Sequence, residues 1–144
     1  MKNNDTIRLC ALSDTHGLDF TIPDCDIFCH CGDWSPLAYQ SDYEAMYDWL
    51  DYFVDTLLHL PCRYVVIIAV NHDLIMESET ARDVFDEIQQ RQGGVREYWD
   101  EKGILRTDKK IHYLDCSSVE IMGLKFWGSP VTQQVNRYRK YWAF

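Results

Sequence analysis

The 144-residue sequence predicts an α/β fold, a mixed or parallel sheet flanked by helices and followed by a C-terminal β-hairpin, and three observations carry that prediction. Three apolar runs, residues 7–12, 25–31 and 63–70, lack the strict alternation of a half-exposed strand, as expected of strands covered on both faces. Between the second and third runs lies a stretch with helical apolar spacing, so strand, helix and strand follow one another as in a parallel crossover. Further on, two short apolar segments flank Gly123 in the manner of a hairpin.

The first run, Ile7–Leu12, carries one charge at Arg8 and stops at Ser13-Asp14. A loop containing Pro23 leads into Cys25–Cys31, where Ile27, Phe28, Cys29 and Cys31 are apolar, and Gly32 permits a tight exit that a side chain would obstruct. Ser41 with Glu44 three residues later reads as a capping box. It opens a helix whose positions Met46, Leu50, Phe53, Val54 and Leu57 share one face, and Pro61 marks its end. Arg63–Val70 is the most β-branched run in the chain, suited to the middle of a sheet. A second helix is expected from Ser78 to about Arg91, with Val84, Phe85 and Ile88 on its apolar face and Gly93-Gly94 after it. Residues 95–110 are polar and mixed and predict no element. Ile111–Leu114 reads as a short strand, Val119–Met122 and Leu124–Trp127 as the hairpin, and Gly128-Ser129-Pro130 as a turn. No repeat, low-complexity tract or linker divides the chain, so residues 1–144 are read as one domain.

Composition excludes some functions. With 23 acidic and 14 basic residues the net charge is −9, which opposes broad electrostatic binding to duplex nucleic acid or anionic membrane. The longest apolar run, Tyr64–Val70, falls far short of the roughly 20 residues of a membrane span, and no basic start precedes an apolar leader, so a cytoplasmic location is expected. The six cysteines lack C-x2-C spacing and are expected to be structural thiols. A zinc module built on Cys25, Cys29, His30 and Cys31 ranks far behind that reading. The Trp and Tyr residues are expected to pack rather than stack on bases, because few basic residues accompany them.

Chemistry concentrates where the three predicted strands end: Ser13-Asp14-Thr15-His16-Gly17, Gly32-Asp33 and Asn71-His72-Asp73. Carboxylate, imidazole and amide donors suit Mg, Mn, Fe or Zn better than soft metals. In extended backbone Asp14 and His16, two apart, face the same way and can share an ion. Taken singly, Asp, Asn and Ser are turn and capping residues. As an ordered set beyond the carboxyl ends of parallel strands, where ligands gather, they read as a metal site. His30, His59 and His112 are read as structural histidines.

The ordered set Asp14-x-His16, Gly32-Asp33 and Asn71-His72-Asp73, each after a strand, resembles the calcineurin-like metallophosphoesterase superfamily. Ile111-His112-Tyr113-Leu114, the hairpin and Phe126-Trp127-Gly128-Ser129-Pro130 are similar to its small branch of metallophosphoesterase-domain-containing phosphodiesterases. The resemblance implies a four-layer αββα sandwich, of which this chain would form the N-terminal half. It also implies two divalent ions (Mn, Fe, Mg or Zn) and hydrolysis of small phosphate esters, phosphodiesters in particular. By position, Asp14 and His16 would bind the first ion, Asp33 would bridge both and Asn71 would bind the second through its amide oxygen. His72 would sit beside the phosphate, stabilising developing charge or protonating the leaving oxygen, and Asp73 would orient the loop. Two cations about 3.5–4 Å apart polarise phosphoryl oxygens and lower the pKa of a shared water for in-line attack.

Two departures set further expectations. The family's third motif has Gly where this chain has Val70; if that position needs a positive φ or a close backbone approach, Val strains the loop by roughly 1–3 kcal/mol. The later Gly-His and Gly-His-x-His motifs, which bring three more imidazoles, do not occur in these 144 residues. The sequence is therefore expected to represent a C-terminally truncated domain with an uncovered apolar face and hairpin edge, suited to homo-oligomerisation or to a complementing C-terminal half. The alternative function is a catalytically impaired member that serves as a metal-binding or assembly module.

Overall fold

The computed structural model describes residues 6–39, 42–77 and 79–131. The chain runs β1 (Leu9–Leu12), β2 (Ile27–His30), α1 (Tyr43–His59), β3 (Tyr64–Ile67), α2 (Glu79–Arg91), β4 (Val95–Trp99), β5 (Leu105–Lys109), β6 (Ile111–Tyr113), β7 (Ser117–Ile121) and β8 (Leu124–Gly128), with 3-10 turns at Leu37–Tyr39 and Leu74–Glu77. The central sheet has the order β1-β2-β3-β6 and all its pairs are parallel, so the fold is α/β with two added antiparallel hairpins, β4-β5 and β7-β8.

Successive residues of the inner strands enter different cores, as the two-residue repeat of a strand requires. Phe28, Val65, Ile67 and Ile111 pack with Met46, Leu50, Phe53, Val54 and Leu57 of α1 and with Phe85 and Ile88 of α2. Ile27 and Val66 face the other way and meet Leu114, Ile121, Val119 and Phe126, so the β7-β8 hairpin lies on that face. The expected apolar faces of both helices are the observed ones. The expectation that the first strand is covered on both sides is not met: Leu9 is 50% exposed and Ala11 is also exposed. The reason is width, since a two-stranded hairpin cannot span a four-stranded sheet whose strands stand about 4.8 Å apart, and β1 is the edge strand.

Ser41 lies outside the described residues; the N-cap of α1 is Asp42, whose carboxylate accepts the Ala45 N–H at 3.1 Å. At the other end Lys110 Nζ donates to the Leu58 and Leu60 carbonyls at 2.6 and 2.9 Å, placing a cation on the negative end of the helix. Ser78 also lies outside the described residues, and the turn after α2 uses Gly93, whose φ of +80° suits glycine. Fully buried Gln89 of α2 donates to the Ile111 carbonyl at 3.1 Å and accepts its N–H at 2.8 Å, satisfying the backbone of edge strand β6.

Residues 95–110, read as no element, form the exposed β4-β5 hairpin. Its turn is organised by Asp100, whose carboxylate accepts from the Lys102 and Ile104 N–H groups and from Arg106, and by Gly103 at φ +71°. The polar outer strands hid it from hydrophobic periodicity, although Asp100 and Gly103 were turn signals. The residues of the final Tyr141-Trp142-Ala143-Phe144 segment lie outside the described residues.

Candidate metal centre

Parallel pairing sets the carboxyl ends of β1, β2 and β3 side by side, and the loops leaving them are laced together. The Asp14 N–H donates to the Gly32 carbonyl at 3.0 Å, His16 N–H to Asp33 O at 2.9 Å and Gly17 N–H to Trp34 O at 2.8 Å. The backbone here is not extended, contrary to the sequence expectation: Asp14, His16 and Asp33 have φ of 58°, 47° and 54°, with Gly17 and Gly32 also positive. Left-handed backbone costs about 1–2 kcal/mol at a side-chain-bearing residue, with Asp and His among the more tolerant types. Strain of this kind persists where surrounding bonds impose it and gathers at functional sites. It also curls the loops so that the three side chains converge.

Among the described residues, Asp14, His16 and Asp33 are the group whose potential ligand atoms all lie within 4.8 Å of one another. Donors on one ion at about 2.1 Å bonds in tetrahedral or octahedral geometry stand about 3.0–3.4 Å apart, so side-chain adjustments of up to about 1–2 Å would close the group on a cation. The donor set suits a hard or borderline divalent ion. His16 Nδ1 is buried and has no hydrogen-bond partner among the described residues, as befits an imidazole set to ligate. The Ser13 hydroxyl donates to Asp14 Oδ2 and restrains that carboxylate. The three residues fit a divalent cation.

His72 stands beside this group. Its ring centroid is 5.2 Å from that of His16 in an edge-to-face arrangement at 79°, and its backbone N–H donates to Asp33 Oδ1 at 3.1 Å. Asn71 occupies the same turn with its side chain exposed. Val70 is not among the positive-φ residues, so strain from a left-handed backbone is absent at this position. Instead its methyls lie over Gly32, where an added Cβ would come within 2.4 Å of Val70 Cγ2. Gly32 is thus required twice, by its φ of +98° and by this close approach.

Asp73 holds the second and third loops together. Fully buried, its Oδ1 accepts the Trp34 and Ser35 N–H groups at 3.0 and 2.9 Å, and its Oδ2 those of Asp33 and Val70 at 2.8 and 2.9 Å. Burial pushes its carboxyl up to about 6, while these bonds pull the other way. It orients the loops, as the sequence suggested.

His30, read as structural, is 1% exposed at the end of β2, its Nε2 3.0 Å from Thr15 Oγ1 and its ring among Phe20, Phe28 and Phe53. Burial lowers its pKa to about 4, opposed by the nearby Asp14 charge. His59, exposed at the end of α1, sits against its own Asp55. Partly buried His112 lies on β6 beside the Tyr64 ring. The cysteines are free thiols, and Cys25, Cys29, His30 and Cys31 form no ligand cluster among the described residues. Cys29 packs in the hairpin-side core while Cys25 belongs to the helix-side core, and Cys31 is exposed rather than a buried hydrophobe.

The comparisons with known proteins bear on this geometry. No family model matches the chain. It is 28% identical over 127 residues to the metallophosphoesterase domain-containing protein 1 of Homo sapiens and, equally, to that of Mus musculus, in each case over 85% of this chain and 37% of the relative. These likenesses support the metallophosphoesterase superfamily. The chain is also 27% identical over 129 residues to a fungal protein named "Probable rhamnogalacturonate lyase C", from Emericella nidulans; that match covers 90% of this chain and 11% of the fungal protein. The chain therefore spans well under half the length of each of these relatives. At the level of the family, the metallophosphoesterase likeness supports a metal-using phosphoesterase, and Asp14, His16 and Asp33 are a suitable group for metal in this chain. No helix among the described residues is long and apolar enough to cross a membrane.

Proposed function

We propose that the chain carries the metal-binding half of a phosphodiester hydrolase. The observation that supports it most is the convergence of Asp14, His16 and Asp33 at the ends of neighbouring parallel strands, on backbone held in left-handed conformations. Asp14 and His16 would hold a first divalent ion, Asp33 would serve both ions, and the exposed Asn71 would serve the second. Such ions polarise phosphoryl oxygens and lower the pKa of water. His72, next to His16 and tied through its backbone to Asp33, would stand beside a phosphate held there, to stabilise its charge or to give a proton to the departing alkoxide. The substrate is a small phosphodiester, the compartment cytoplasmic. The test is Mn2+-dependent hydrolysis of bis(p-nitrophenyl) phosphate: turnover abolished by Asp33→Ala is expected, and Asp33→Ala turnover equal to wild type would refute the assignment.

A further inference from the structure

We infer that His30 and Thr15, which belong to no ligand set, are positioning residues that hold the Asp14-Thr15-His16 loop in its metal-binding shape. The inference rests on the metal reading above. Thr15 is the residue between the two converging side chains, and both its neighbours are left-handed, so the loop must be restrained to keep them there. Its backbone is restrained by bonds to the β2 loop on either side of it, at Asp14 and His16. Its side chain, in a residue 8% exposed, has one hydrogen-bond partner among the described residues, His30 Nε2 at 3.0 Å.

His30 Nδ1 is buried with no partner among the described residues. The Nε2–Oγ1 contact is therefore the ring's one hydrogen bond among them, whichever of the two atoms donates. The ring cannot swing away, because Phe20, Phe28 and Phe53 surround it with centroids 5.8, 6.1 and 6.0 Å distant. A rigid hydrogen-bonding ring anchored in the main core thus reaches the middle of the ligand loop. A histidine that served packing alone would not need to end on a hydroxyl flanked by both ligands.

The experiment measures Mn2+ affinity by titration calorimetry, together with the melting temperature of the metal-free protein. Thr15→Val keeps shape and removes the hydroxyl; Thr15→Ser restores it. His30→Phe and His30→Gln make the same comparison from the histidine side, the Gln amide reaching where Nε2 stands, so one variant's failure to fold does not shelter the inference. The expected result is a Kd for Mn2+ raised about 10–100-fold in Thr15→Val and His30→Phe, with Thr15→Ser and His30→Gln within about 3-fold of wild type. Wild-type Kd in Thr15→Val or His30→Phe would overturn the inference while leaving the metal reading intact. Absence of Mn2+ binding in the wild-type chain would overturn both.

Discussion

Replacing Asp73 with Asn tests how the three loops are held together. The amide has the shape of the carboxylate, so no cavity opens, yet one acceptor oxygen becomes an NH2 group. Whichever way it turns, that group faces two backbone N–H donors: those of Trp34 and Ser35, or those of Asp33 and Val70. Each donor stripped of its acceptor in a buried site costs about 1–3 kcal/mol. Relief from burying a charge, the effect that raises the Asp73 pKa, takes back part of this. The net loss expected is about 2–4 kcal/mol, near the limit for a single isosteric change. Because those donors belong to the loops of Asp33 and of Asn71-His72, weaker Mn2+ binding should accompany the loss. Urea unfolding of the metal-free variant followed by circular dichroism reads the first effect and calorimetry the second. Stability within about 0.5 kcal/mol of wild type, the range of a neutral surface change, would refute the reasoning.

Further outcomes follow from single contacts. His30 has a folded pKa of about 4, below the ordinary 6.5; the unfolded chain therefore takes up a proton first, so the His30 contribution is full above pH 6.5 and falls by up to about 3 kcal/mol as pH drops to 4, while Asp73, raised to about 6, shifts stability the opposite way over that window. Urea midpoints across this range should fall less steeply for His30→Gln, and equal slopes would count against it. Gly32→Ala places a methyl 2.4 Å from Val70 Cγ2 at a φ of +98° and should cost about 2–4 kcal/mol by thermal unfolding, partly recovered in a Val70→Gly background. Gln89→Met strands both the N–H and the carbonyl of Ile111 and should lower stability by about 2–4 kcal/mol, with faster amide exchange at Ile111 as its local signature.

Much of this was legible in the sequence, for physical reasons that also mark where legibility stopped. The β-branched run at 64–67 and the apolar spacing of α1 record burial directly, so the parallel core was readable. The β4-β5 hairpin was not, because its side chains face solvent and the only marks of its turn are Asp100 and Gly103. At the site, the residue types of Asp14, His16 and Asp33 were readable but their geometry was not. Sequence spacing suggested extended backbone, whereas left-handed residues imposed by cross-loop bonds do the converging. The Val70 position shows the converse: the motif suggested strain, and the fold places the side chain in ordinary backbone against Gly32. His30 read as core, which it is; its bond to Thr15 connects residues 15 apart, and no local pattern shows it.

The most direct test of the central claim is a crystal soaked in MnCl2, with an anomalous difference map collected at the manganese edge. The account predicts a peak about 2.1–2.3 Å from Asp14, His16 and Asp33 donor atoms, and a second about 3.5–4 Å away on the Asp33 and Asn71 side. No peak at the Asp14, His16 and Asp33 donors, or manganese bound only elsewhere on the chain, would contradict it.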